Sequence, residues 1–277
     1  MSVRFPAGSL QLPLGRALRW QVELTWRDGG PCERSPSATA CTQRLPEERP
    51  GVLPTRRPRG LVLNRSERLR VLATGDSMIQ IVDSFLKRRL QTRGARVRSD
   101  AHISTGISKP AALNWPAKAR SQARSIKPHV TVISLGANDG FPMRTARGRS
   151  APCCEAAWIA EYSRRARRMM ASYRRGGRSL VYWLTLPTPR RGNFKPIYRA
   201  VNTAVKRAAT AYPDHVRVLD LGRVFTPGGR FRQHIVFRGR RINARQGDGV
   251  HLSTAGASVA ATLVIDRLRA DGALRSR

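Results

Sequence analysis

RVLATGDSMIQIVDSFLKRRLQTRG, residues 70–94, is the stretch on which the fold turns. Its opening run, Arg70 to Thr74, reads as a short strand. After it, Met78, Ile81, Val82, Phe85, Leu86 and Leu90 recur at helical spacing, and Gly94 stands where a left-handed residue ends a helix. A strand, a tight turn and a helix in about 25 residues make the opening unit of an α/β fold.

The same texture continues downstream. Arg96 to Ile103 is a second strand candidate, and VTVISL (130–135) is apolar enough to lie buried on both faces, as parallel strands do. Ile159, Tyr162, Ala166, Met169, Met170 and Tyr173 form the inner stripe of a long helix whose outer positions carry arginines, and Gly176-Gly177 stop it. LVYWLTL (180–186), a helix over about 197–211 and VRVLDL (216–221) follow. Residues 225–247 break the pattern, with a short hairpin expected over Phe231 to Arg241, before a last helix from about Thr254 to Leu268. The alternation predicts a three-layer α/β/α sandwich around a parallel sheet of about five strands. Residues 1–66 mix Pro, Gly, Arg, Ser and Thr without a sustained period and read as a disordered basic leader or linker, leaving 67–277 as the folded domain.

Lys and Arg total 52 against 17 acidic residues in 277, a formal net charge of +35, and only six of the 52 are lysines. Such an excess follows either from arginine-rich codon usage or from an anionic partner. No stretch has the apolar length needed to span a bilayer. SLQLPLGRALRW (9–20), interrupted by Gln11, Pro13 and Arg16, does not read as an export signal. The four cysteines match no paired zinc spacing. Cys32 and Cys41 can bridge in an oxidising compartment, whereas the adjacent Cys153 and Cys154 are expected to be free thiols.

Gly75-Asp76-Ser77 falls where the first strand gives way to the first helix, so the Ser77 hydroxyl is expected at the carboxyl edge of the sheet, near a helix N-terminus. A serine needs a base and a group to orient that base. Gly247-Asp248-Gly249-Val250-His251 supplies a carboxylate three residues ahead of a histidine, just before the last helix. Gly136-Ala137-Asn138-Asp139 follows the third strand and Gly106 the second, so the Asn138 amide and the Gly106 N–H can serve as donors to an oxyanion. Taken singly, each has a plain reading: Ser77 as a helix cap, Asp248 as a turn residue, and the Asn, Asp and Gly segments as turns.

In this order the four blocks resemble the SGNH (GDSL-like) hydrolases over about Leu69 to Leu268. The resemblance implies Ser77 as nucleophile, His251 as general base and then acid, Asp248 as its partner, and the Ser77 N–H, Gly106 and Asn138 as the oxyanion hole. It implies no metal and no organic cofactor. STGISKPAALNWP (104–116) and GDGVHLSTAG (247–256) look like a branch of exported bacterial domains related to those that handle acyl groups on cell-envelope polysaccharides. That implies a short acyl group, most simply acetyl, on a carbohydrate, and a cell-envelope or extracellular location; Trp115, with Pro116, is a candidate for a substrate-binding pocket wall, its plain reading being packing. Met78 stands where the family often has Leu, His102, His129, His215 and His234 match no block, and the missing export signal leaves the compartment open. The rival reading is a non-catalytic module for an anionic envelope polymer. A nucleic-acid partner is disfavoured, because aromatics are 6% of the chain and no recognised motif is present.

Overall fold

The computed structural model describes residues 67–274, so the predicted leader and Cys32 and Cys41 lie outside the described residues. The elements run β1 (Arg70–Gly75), α1 (Val82–Gln91), β2 (Arg96–Ala101), α2 (Trp115–Ser125), β3 (Val130–Ser134), β4 (Met143–Arg144), β5 (Ser150–Ala151), α3 (Ala156–Tyr173), β6 (Leu180–Leu184), α4 (Lys195–Ala209), β7 (Val216–Leu219), α5 (Gly222–Phe225), β8 (His234–Phe237), β9 (Arg240–Asn243) and α6 (Thr254–Ala270). Five strands form one parallel sheet in the order β2-β1-β3-β6-β7, and two hairpins, β4-β5 and β8-β9, stand apart from it.

Successive residues of a strand face opposite sides of the sheet, and the core divides accordingly. Val71, Ala73, Val130, Val132, Leu180 and Tyr182 join the apolar cluster under α1 and α6. Leu72, Ile133, Val181 and Trp183 join the cluster under α2, α3 and α4. This is the predicted three-layer sandwich. The helix α2 was not foreseen. Asn114 caps it, its Oδ1 accepting the Ala117 N–H at 3.1 Å, and Pro116 sits in its first turn. The hairpin expected over 231–241 occurs as β8-β9, shifted a few residues along the chain.

The chain passes from β1 to β2 on one side and then crosses back to β3 on the other side of β1, so a topological switch point, where open α/β sheets place ligands, lies at the carboxyl ends of β1 and β3. Gly75 closes β1 there. Its φ is +150° and a Cβ would lie 1.8 Å from the Ser134 carbonyl oxygen, which also accepts the Asp76 N–H at 3.2 Å. Gly75→Ala is expected to lower unfolding free energy by at least about 3 kcal/mol. Gly94→Ala, whose Cβ meets nothing within 4 Å, should cost only about 1 kcal/mol for its left-handed backbone. Urea titration of both variants checks the contrast.

Candidate active site

Ser77 does not sit on a helix terminus, as the sequence had suggested. Residues 76–81 form a turn, with Ile79 N–H donating to Asp76 O and Gln80 N–H to Ser77 O, both at 3.3 Å, and α1 begins only at Val82. Ile81, with φ of 69°, occupies the N-cap without a side-chain bond. The turn presents Ser77, partly exposed, over a buried Asp76 and Met78. Ser77 is therefore neither a helix cap nor placed on the α1 dipole.

At the opposite end of the chain, Arg245 and Leu252 pair as an antiparallel bridge and close a loop. Within it, Asp248 Oδ1 accepts the N–H groups of Val250 (2.8 Å) and His251 (3.0 Å), while Oδ2 meets His251 Nδ1 at 2.5 Å. One carboxylate thus fixes both the backbone and the ring of the histidine. Burial works against charge on Asp248, but the His251 ring and these two N–H groups prevail and hold its carboxyl below the ordinary range. Facing a carboxylate, Nδ1 carries the proton, which leaves Nε2 to accept from the Ser77 hydroxyl at 2.8 Å. Residues 174 positions apart in sequence thereby share one hydrogen-bonded series.

The loop is braced from outside. Arg190 N–H donates to Gly249 O and its Nη1 to Gly247 O, both at 3.0 Å, and a Cβ on Gly249 would fall 2.4 Å from Arg190 Cβ. Arg245 is buried and donates to Thr188 O at 2.8 Å, and burial lowers its pKa to about 10. Ser253 caps α6 through Gly256 N–H at 3.0 Å, and Gly256 allows the helix to abut Ala244, whose carbonyl oxygen a Cβ would approach to 2.2 Å.

Two buried carboxylates position the remaining predicted residues. Asp76 Oδ1 accepts Met78 N–H at 2.9 Å, and Oδ2 accepts the N–H groups of Gly136 and Ala137, also at 2.9 Å, with Asn138 Nδ2 at 3.5 Å. Asn138 Nδ2 also donates to Thr105 O at 3.2 Å, which brings it beside Gly106. Asp139 accepts from the N–H and hydroxyl of Ser108 (2.6 and 2.7 Å) and from the Tyr162 hydroxyl (2.7 Å), and lies where any Cβ on Gly106 would sit. Sequence reasoning used neither carboxylate, because nothing in a linear pattern marks an aspartate as buried.

Two expectations need correction. Trp115 is not a pocket wall: it is fully buried, its Nε1 donates to Thr105 Oγ1 at 3.1 Å, and its ring meets His102 edge-on, so it props the Thr105–Gly106 loop from beneath. Cys153 and Cys154 are not free thiols but are joined to each other in a disulfide. Among the described residues, no group of His, Cys, Asp and Glu is arranged to hold a metal ion, and no helix is long and apolar enough to cross a membrane.

The profile of DUF459, described as a family of proteins of unknown function, matches residues 70–267. The chain belongs to that family. Its fold is SGNH/GDSL-like. The C-terminal catalytic domain of peptidoglycan O-acetyltransferase A from Streptococcus pneumoniae superposes with a TM-score of 0.50 at 15% identity, over 75% of this chain and 97% of that one. A family two carbohydrate esterase from Clostridium thermocellum, in complex with cellohexaose, gives 0.50 at 14% identity, over 77% and 68%. No curated protein matches the chain in sequence.

Burial, chiefly, pushes the Asp76 carboxyl up to about 6 from 3.8, with the Asp139 charge adding in the same direction. A folded-state pKa above the unfolded one means that the folded chain holds a proton the unfolded chain has lost. The stability this confers is complete below pH 3.8 and is lost as pH rises through about 6. The unfolding free energy of wild type relative to Asp76→Asn should therefore fall by about 3 kcal/mol between pH 3 and pH 7, as read by urea titration across that range.

Proposed function

We propose that this DUF459 protein is a serine esterase or acyltransferase that removes or transfers short acyl groups, O-acetyl esters of a carbohydrate or cell-envelope polysaccharide in particular. The observation that carries the reading is the series Asp248–His251–Ser77, at 2.5 and 2.8 Å, on an accessible edge of the sheet. Ser77 Oγ attacks the ester carbonyl as its proton passes to His251 Nε2, and Asp248 stabilises the imidazolium and keeps it oriented. The oxyanion is met by the N–H groups of Ser77 and Gly106 and by Asn138 Nδ2. Thr105 O engages one hydrogen of that amide at 3.2 Å, and the Asp76 contact at 3.5 Å is too long to hold the other firmly. His251 then gives its proton to the departing sugar oxygen. An acyl-serine remains, which water or another hydroxyl resolves with His251 as base.

Solvent exposure supports a small acyl group, since the side chains of Asp248 and His251 are 43% and 33% exposed rather than enclosed as a long chain would require. The carbohydrate assignment draws support from the two structural neighbours, one named for O-acetyl transfer to peptidoglycan and the other bound to cellohexaose. The reaction as proposed draws on side chains, backbone N–H donors and water or another hydroxyl. A non-catalytic polymer-binding role would leave the Ser77–His251–Asp248 geometry without a purpose.

Hydrolysis of p-nitrophenyl acetate should exceed that of the butyrate and octanoate esters. Ser77→Ala and His251→Ala should each lower kcat by at least ~10³-fold, and Asp248→Asn by ~10²- to 10⁴-fold. Equal turnover by wild type and a folded Ser77→Ala protein would remove Ser77 as the nucleophile and favour the polymer-binding role.

A further inference from the structure

Beside the acyl-transfer centre, Phe141 breaks the usual rule for large apolar side chains. The residue is 49% exposed, yet its backbone is held on both sides: its N–H donates to Ser108 Oγ at 3.3 Å, and its carbonyl accepts from Nε1 of the buried Trp158 at 2.9 Å. Ser108 is in turn bonded to Asp139. The ring is thus displayed from a rigid loop, which is how binding aromatics are presented. Lys109 Nζ stands over one face of the ring, 5.2 Å from its centroid, and donates to Ser104 O at 2.8 Å, so the ammonium is fixed there and a stacked sugar would take the opposite face, with its acidic group reaching past the ring edge.

Charge continues from there along the chain. Arg144, Arg147 and Arg149 are exposed on the β4-β5 hairpin that follows Phe141. With Thr145, Ala157 and Arg164, the latter two arginines line a hollow of about 380 Å³ at the start of α3. Its one carboxylate, Glu161, is already held by Arg164 and Arg165 at 2.6 to 2.8 Å. A ring with an apolar C–H face suits Phe141, an acidic substituent on that ring suits Lys109, and further negative charge along the same molecule suits the arginines.

We propose that Phe141 and Lys109, continued by the arginines of the β4-β5 hairpin, form a subsite for an acidic glycan, with a carboxylate-bearing pyranose stacked on Phe141. The inference rests on the carbohydrate-ester reading and narrows its substrate class. Neutral glycans lack the partner for Lys109 and bind less tightly.

Calorimetric titration of the full-length Ser77→Ala chain with tri-galacturonate and with neutral cellotriose tests the subsite without turnover. The proposal expects tri-galacturonate to bind more tightly, Phe141→Ala to weaken it at least tenfold, and Lys109→Met to weaken it toward the neutral sugar. Phe141→Ala leaves every charge in place, so tri-galacturonate affinity unchanged in that variant would mean non-specific attraction to a basic surface and would overturn the subsite. Equal affinity for the two sugars, or no binding of the acidic one, would overturn it as well. A failed esterase reading shows separately, as wild-type inactivity toward p-nitrophenyl acetate.

Discussion

The Asp76 carboxylate, buried at the carboxyl end of β1, is the interaction on which the site's geometry depends. Taking a carboxylate out of water is costly unless its lone pairs are filled, and here they are filled by N–H groups of Met78, Gly136 and Ala137. Those donors belong to two loops that the sheet alone would leave independent. Binding them to one group sets the direction of Ser77 against Asn138. Asp139 repeats the device between the β2 and β3 loops through Ser108, so three loops from three adjacent strands are tied together. In this family member the surroundings of Ser77 are built on two buried carboxyl groups, with the Ser77 turn standing before the helix that sequence placed beneath it.

Most of the sheet was legible because parallel strands buried on both faces leave continuous apolar runs, as in Val130–Ser134 and Leu180–Leu184. The helix α2 left no such mark. Its buried face is Trp115, Ala119, Gln122 and Ala123, two small residues and a polar one, too little contrast for a helical period. Gln122 is core because it donates to Thr74 Oγ1 and Asp100 Oδ2 and accepts the Tyr173 hydroxyl. Met78 and Ile81 fitted the α1 stripe by spacing, yet both precede the helix, since the turn also places apolar residues inward, Met78 in the cluster under α2, α3 and α4 and Ile81 against the one under α1 and α6. The four site blocks were readable from order and residue type. The braces were not: Arg190 against Gly247 and Gly249, or Trp115 beneath Thr105, join segments whose proximity only the folded chain creates.

The arginine excess divides into two populations. Some guanidinium groups are struts: Arg245 holds the Thr188 carbonyl, and Arg165 ties Ile107 O and Arg144 O to α3. Planar, always charged and rich in donors, arginine suits this stitching of carbonyls better than lysine does. Others, such as Arg147 and Arg149, stand exposed on the hairpin beyond Phe141. Exposed arginines also stand on other elements, such as Arg88, Arg120, Arg168 and Arg207, so a basic composition alone says little about a partner.

We propose that Ser77 becomes a nucleophile because His251, held by Asp248, removes its proton. Treatment with phenylmethylsulfonyl fluoride followed by peptide mass spectrometry tests it most directly, because the reagent marks an activated serine whatever the natural substrate. A single sulfonyl adduct is expected on the peptide containing Ser77 in the wild-type protein, with at least ~10²-fold slower labelling in His251→Ala. An adduct on another serine, or labelling of Ser77 at the same rate without His251, would contradict it.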